Sequence, residues 1–487
     1  MDRGYDTQHG YARVEDDSSG SGAFGGSSQD RHEFNRSILR EYDIRGVVGQ
    51  TLDVTDARAL GRAFGTVVAE AGGSRVCVGY DGRLSSPDLE IAVIEGLNAC
   101  GLDAIRIGLG PTPMLYYGVN ALDADGGVMI TASHNPPEYN GFKLMLGKQS
   151  YWGDDIRRLG DIASRGHFAT GKGGVLKSPM LARYVARIAA DFLGGRDLSV
   201  AWDAGNGAAG DAMTRLCKLL PGRHILLNET IDGTFPAHHP DPTEPRNLEQ
   251  LIATVKSERC DVGFAFDGDG DRIGVVDGTG RILWGDQYLT LMIREVLGEQ
   301  PGATIIADVK ASETLFDEIR NLGGKGVMYC AGHSPIKSKM LETGAPLAGE
   351  MSGHIFFADR YYGYDDGLYA AVRMLSFLSR APQSLIEMMD GLPKPVNTPE
   401  LRFPCPEERK FDSVAEIRDR LAASGADIND IDGVRVRTDD GWWLLRASNT
   451  QDALVARCES SDEAGLARLK TALSEQLRAC GFEPPEF

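Results

Sequence analysis

The sequence predicts an α/β protein of several domains, with mixed, mainly parallel sheets and a smaller α+β domain at the C-terminal end. Three observations carry this reading. Short apolar runs alternate with longer helical patterns along most of the chain, as βα units do. A strand followed by a polar loop occurs three times in similar contexts, a weak threefold repeat. After a stretch with five prolines, Leu392–Pro406, the pattern changes.

The elements follow in order. Residues 1–33 hold six Gly, five Ser and net acidic charge, with no apolar core of signal-peptide type, and read as a disordered tail. Three strands then resemble one another in context: Arg75–Tyr80, Ser199–Trp202 and Thr304–Ala307. Each runs into an aspartate: Asp81, Asp203 or Asp308. Some way after each comes a second strand ending in a polar loop, within 127–135, 262–272 and 345–354. Ligands of open α/β sheets bind beyond the carboxyl ends of strands, so three such loops can converge on one cleft. Beyond the prolines we expect a helix over 412–424, strands at 434–439, 442–448 and 453–459, and a last helix over 462–479. The expected divisions are 34–175, 176–282, 283–392 and 393–487, in keeping with 487 residues at about 100–200 per domain.

Composition excludes several functions. With 51 basic and 70 acidic residues, net −19, the chain repels nucleic acid and anionic membranes, and an anionic substrate needs a local cluster of Arg and Lys. No apolar run reaches the ~18 residues of a membrane span. Eight cysteines stand singly, without Cys-x-x-Cys spacing. That fits reduced thiols in a cytoplasmic protein better than a disulfide framework or a zinc site.

The loops carry the chemistry. Asp267-Gly-Asp-Gly-Asp-Arg272 offers three carboxylates at alternate positions, hard oxygen donors suited to Mg²⁺ or Ca²⁺. An EF-hand loop is ruled out, because Arg272 and Gly278 stand where Gly and Glu are required. Mg²⁺ usually keeps positions for water or phosphate, so a phosphate partner is implied. Thr131-Ala-Ser-His-Asn-Pro136 taken alone is an ordinary turn signal. Beside a metal loop it can present Ser133 as a nucleophile, stored as phosphoserine and neutralised by the metal and by Arg45, Lys143 and Arg272. Glu350 and Ser352, two residues apart in Gly349–His354, can hydrogen-bond neighbouring sugar hydroxyls, or simply form a capped turn. Arg446-Ala-Ser-Asn-Thr450, with Arg457 one strand on, suits a phosphate held without metal, or a hydrophilic hairpin. His333 and His354 are candidate proton carriers.

Together these four loops resemble the α-D-phosphohexomutase superfamily, and its bacterial phosphomannomutase/phosphoglucomutase branch, over about residues 35–485. The motifs occur in family order with family-like spacing. The resemblance implies three related α/β domains and a smaller α+β domain around a central cleft. It assigns Ser133 as phosphoryl carrier, and Asp267, Asp269 and Asp271, completed by the phosphoserine of Ser133, as Mg²⁺ ligands. It also assigns Glu350 and Ser352 as readers of sugar hydroxyls. Arg446, Ser448, Asn449 and Thr450, with Arg457, match the site for the non-reacting phosphate. Tyr42 and Arg45 lie in a family-like Glu-Tyr-Asp-Ile-Arg-Gly segment. Lys143 and His333 match residues near the reacting groups, and Lys310 and His354 are candidates of the same kind.

The expected activity is transfer of a phosphoryl group between the 1- and 6-positions of a mannose or glucose phosphate, through a hexose 1,6-bisphosphate that also re-primes the enzyme. The alternatives are a phosphoglucosamine mutase, a Mg²⁺-dependent sugar phosphatase and a non-catalytic sugar-phosphate binder. No Gly-x-x-x-x-Gly-Lys-Ser/Thr motif supports a kinase. Mannose against glucose preference and oligomeric state stay open at this stage.

Overall fold

A computed structural model of the protein describes residues 31–449 and 452–484. Most of the expected tail, residues 1–30, and Thr450 lie outside the described residues.

Three sheets share one core arrangement. In the first, the strand Arg75–Tyr80 is flanked in parallel by Asp103–Leu109 and Gly126–Ile130, and Gly126–Ile130 pairs antiparallel with Tyr139–Leu146. In the second, Ser199–Asp203 lies between Arg223–Leu227 and Val262–Phe266, and Val262–Phe266 pairs antiparallel with Ile273–Asp277. In the third, Thr304–Asp308 lies between Lys325–Tyr329 and Leu347–Gly349, and Leu347–Gly349 pairs antiparallel with Ile355–Phe357. The threefold repeat is therefore a repeat of topology, and the sheets are mixed.

The antiparallel return strand has a consequence for function. It makes each polar loop the connection between a buried parallel strand and its partner, so the loop leaves from a carboxyl edge. The three loops are 131–138, 267–272 and 350–354. Two of the aspartate-ended strands run one residue further than expected, because Asp203 and Asp308 pair in the sheet.

The fourth sheet is antiparallel, in the order Val396–Asn397, Ala453–Ser460, Gly441–Ala447, Val434–Thr438, Asp427–Asn429, with Leu401–Pro404 also on Ala453–Ser460. Its helices are Glu407–Ala423 and Glu463–Ala479, the former starting five residues before the expected 412. Trp443, Leu445, Leu454 and Leu473 form its own core.

Packing brings the sheets together. One core cluster runs continuously from Ile107 and Tyr116 through Trp202 and Phe264 to Ile305 and Phe357. Helix Gly367–Arg380 is buried along nearly its whole length and packs on strands of both the second and third sheets. Val309, Trp442 and Leu444 form a small cluster that seats the fourth sheet on the third. Arg435 reinforces that seat: it donates to Val309 O at 2.8 Å and Ala311 O at 2.9 Å, over the Trp442 ring. No helix among the described residues is long and apolar enough to cross a membrane.

Candidate active site

The serine loop and the aspartate loop meet. Ser133 Oγ donates to Asp267 Oδ2 at 2.7 Å, from a residue only 3 % exposed. Ser133 has φ +49°, a left-handed conformation that costs a non-glycine residue ~1 kcal/mol or more. The approach of the two loops explains a glycine: a Cβ on Gly268 would stand 2.3 Å from Ser133 O. Gly270, at φ +73°, serves the backbone turn that brings the next aspartate inward.

Asp267, Asp269 and Asp271 are fully buried, with carboxylate oxygens close enough to share one ion. Lys143 Nζ donates to Asp269 Oδ2 at 2.7 Å and to Asp271 Oδ2 at 2.5 Å. Thr112 Oγ1 also donates to Asp269 Oδ2. The Oδ1 atoms of Asp269 and Asp271 have no hydrogen-bond partner among the described residues. Two unsatisfied carboxylate oxygens in a dry site are costly. A hard divalent cation removes that cost, so the residues present fit Mg²⁺. Burial, with the charges of Asp269 and Asp271 beside it, pushes the Asp267 carboxyl well above the usual range. Burial works the same way on Asp269, but Lys143 and Thr112 outweigh it and hold that carboxyl below the usual range.

Above these loops lies a cleft to which all four sheets contribute. Arg40, Arg45, Lys143, Arg272, Lys310, Arg402 and Arg446 line it, against Asp43, Asp241, Glu350 and Glu400. The acidic chain thus carries a local cationic excess at this place. Arg272 Nε donates to His354 Nε2 at 2.9 Å, which puts the ring proton on Nδ1, 2.9 Å from Asp365 Oδ2. Asp365 also takes Lys337 Nζ at 2.9 Å. His333 stands beside His354, its Nδ1 3.2 Å from Lys337 Nζ. Burial, then the Lys337 charge, pushes His333 well below its usual pKa.

Glu350 Oε1 accepts the Gly332 N–H at 2.7 Å, and Ser352 lines the same wall. Arg446 is buried, with its Nε on Asp432 Oδ2 at 2.9 Å. Ser448 and Asn449 face the cleft beside it. Tyr42 joins three sheets at one point: its hydroxyl donates to Ala331 O at 2.8 Å and accepts from Asn449 Nδ2 at 2.6 Å. Lys310 reaches the cleft from the third sheet, with Glu400 at 3.1 Å and Asp308 at 3.5 Å. Burial pushes the Asp308 carboxyl up to about 6 against the pull of Lys310.

One expected site residue stands apart. Arg457 does not line the cleft but faces a neighbouring cavity, where it donates to Lys310 O and lies 3.5 Å from Asp286 and 3.8 Å from Glu459. The physical reason is displacement along the strand and acid pairing: Arg457 lies opposite Leu444, two residues from the position of Arg446 on the same face, and its charge is drawn to two buried carboxylates. Sequence reasoning also passed over several residues. His134, whose Nδ1 lies 3.1 Å from Ser133 Oγ, looked like part of a turn. Burial, then Arg272 and Arg45, drives its pKa well below the usual value. Asp365 and Lys337 belong to no recognisable motif, and only the Asp-Asp-Gly start of the helix Gly367–Arg380 hinted at the former.

Comparison with known proteins gives the family of the chain. Four successive segments match phosphoglucomutase/phosphomannomutase domains: the alpha/beta/alpha domains I at 36–166, II at 182–280 and III at 284–396, and the C-terminal domain at 400–476. The chain is 45 % identical to a phosphomannomutase/phosphoglucomutase of Pseudomonas aeruginosa over 450 residues, covering 92 % of this chain and 97 % of the relative. It is 43 % identical to a phosphoglucomutase of Neisseria gonorrhoeae over 439 residues, covering 89 % and 95 %. A crystal structure of a phosphoglucomutase/phosphomannomutase family protein from Burkholderia thailandensis superimposes with a TM-score of 0.87 at 43 % identity, covering 92 % of this chain and 98 % of that one. With its four domains matched in order along nearly the whole chain, this protein belongs to the phosphoglucomutase/phosphomannomutase family.

Proposed function

We propose that the enzyme interconverts the 1- and 6-phosphates of glucose, mannose or both through a phosphoryl group carried on Ser133. The observation that carries this reading is the Ser133 hydroxyl 2.7 Å from Asp267, buried at the foot of a cleft rich in Arg and Lys. Asp267, Asp269 and Asp271 would hold Mg²⁺, which when bound supplies charge neutralisation at the transferring phosphoryl group.

The chain's own residues do the rest. Arg446, with Ser448 and Asn449, holds the phosphate that does not react. Glu350 and Ser352 take sugar hydroxyls. The free hydroxyl of the hexose phosphate attacks phosphorus; its O–P bond forms as the Ser133 O–P bond breaks, and its proton passes by way of a cleft imidazole to the departing Ser133 oxygen, which lies 3.1 Å from His134 Nδ1. Burial keeps both His134 and His333 uncharged and able to accept it. The product of this half-reaction is a hexose 1,6-bisphosphate. Turning over in the cleft, it returns its other phosphate to Ser133. Positioning and charge stabilisation supply most of the barrier reduction in phosphoryl transfer, which suits a cleft built from fixed cations.

The test uses the purified protein with Mg²⁺, a trace of glucose 1,6-bisphosphate, and glucose 1-phosphate or mannose 1-phosphate, followed by phosphorus NMR. Conversion to the 6-phosphate without free phosphate is expected. Free phosphate without isomerisation would make the protein a phosphatase and end this reading.

A further inference from the structure

Arg83 stands behind the serine loop and does not line the cleft. Its side chain is fully buried, and every one of its five N–H donors is used. Nη2 donates to Ser133 O and to Asn135 O, each at 2.7 Å. Nη1 donates to Pro136 O at 2.7 Å and to Tyr139 O at 3.0 Å. Nε donates to Asp81 Oδ2 at 3.2 Å. Four carbonyls of one seven-residue stretch, 133–139, thus converge on one guanidinium, and one of them belongs to Ser133 itself.

The arginine is fixed in turn. Asp81, at the end of the central strand Arg75–Tyr80, also accepts from the Arg83 backbone N–H at 3.0 Å and from Ser86 Oγ at 2.6 Å. From the second α/β unit, the Phe235 ring lies 5.2 Å from the guanidinium. Gly233 packs so closely that a Cβ there would meet Arg83 Cα at 2.6 Å. The staple therefore runs from a core strand, through Asp81 and Arg83, to the loop carrying the nucleophile, and the unit that bears the aspartates clamps it from outside.

We infer that Arg83 is the positioning residue of the phosphoryl-transfer step, acting through Ser133. It keeps the serine at its left-handed backbone angle, with Oγ aimed at Asp267. This rests on the reading of Ser133 as phosphoryl carrier. Lysine cannot replace it, having three donors on a mobile stem where arginine offers a rigid planar fork. A loop freed by an ångström costs reaction rate, not substrate affinity, because Arg446 and Glu350 bind the sugar phosphate elsewhere in the cleft.

The experiment compares wild type, Arg83→Lys and the milder Asp81→Asn in the full chain. Three quantities are read: kcat, KM for glucose 1-phosphate, and the rate at which glucose 1,6-bisphosphate phosphorylates Ser133, followed by intact mass and peptide mapping. For Arg83→Lys, kcat and the phosphorylation rate should fall by about 100-fold, with KM within about twofold. Asp81→Asn should show the same signature at smaller amplitude, and it carries the test if Arg83→Lys does not fold. Wild-type kcat and phosphorylation rate per folded chain, with only thermal stability lowered, would overturn the positioning role and leave the mutase reading standing. Wild-type enzyme that takes no phosphate, or takes it on another residue, would overturn both.

Discussion

A buried carboxylate is tolerated only when something answers its charge, and the three aspartates of this site divide that duty unequally. Lys143 satisfies one oxygen each of Asp269 and Asp271, while Ser133 donates to Asp267 and the Oδ1 atoms of Asp269 and Asp271 remain for a cation. Asp269→Asn should therefore raise the Mg²⁺ concentration needed for half-maximal rate and lower kcat; a metal titration identical to wild type would contradict the assignment. Ser133→Ala removes the proposed phosphoryl acceptor and should abolish nearly all turnover while leaving sugar-phosphate binding, read by calorimetry, in place. Arg446 lines the same cleft and is the proposed holder of the non-reacting phosphate. Arg446→Ala should cost about 1.5–3 kcal/mol of binding, roughly a ten- to hundredfold rise in KM. An unmoved KM would assign that loop another role.

Elements set where these side chains stand. Asp366 is the N-cap of helix Gly367–Arg380, accepting from Tyr369 N at 2.9 Å, Tyr184 Oη at 2.9 Å and Tyr361 Oη at 3.0 Å. The helix start rests on the aspartate loop, since Gly367 N donates to Gly270 O at 3.1 Å. Burial pushes the Asp366 carboxyl up to about 7, against the donors that favour its charge. The folded state thus holds this proton more tightly than the unfolded chain, whose aspartate titrates near 3.9. That contribution to stability is complete below the unfolded pKa and is lost as pH rises through about 7. Asp366→Asn, which cannot ionise, should flatten the fall in urea midpoint between about pH 4 and 8 relative to wild type. An equal slope in both proteins would reject this account.

At the scale of the molecule, the cleft exists because four sheets meet, and polar contacts between them help to close it. Tyr42 links the first, third and fourth sheets through one hydroxyl. Tyr42→Phe keeps the ring and removes both bonds. At about 1 kcal/mol each, the loss should raise KM by up to roughly 30-fold with little change in thermal stability, since the separate cores are untouched. A variant with wild-type KM would mean that closure is carried by the Arg435 and Trp442 seat instead. The −19 charge of the chain also acts at this scale: the cationic lining gains its worth as a place where an anionic sugar phosphate escapes the general repulsion.

By itself the sequence determined the leading strand of each α/β unit, and it marked four polar loops as candidates for chemistry, because strand periodicity, Gly-Asp alternation and turn residues are local properties of a chain. Asp267, Asp269 and Asp271 were legible as a carboxylate cluster for that reason, and Ser133 as a candidate to stand beside them. Only the tertiary structure decided which groups meet. It placed Lys143 between two aspartates more than a hundred positions away, set His134 against Ser133, and brought Asp365 under His354. It turned Arg457 away from the cleft toward Asp286 and Glu459, although it lies close in sequence to Arg446. Arg83 shows the division most clearly. In the sequence it is one basic residue in a loop, and its five hydrogen bonds exist only because the serine loop folds back over it. Such contacts depend on strand order and on the packing of separate cores, which no local pattern of residues records.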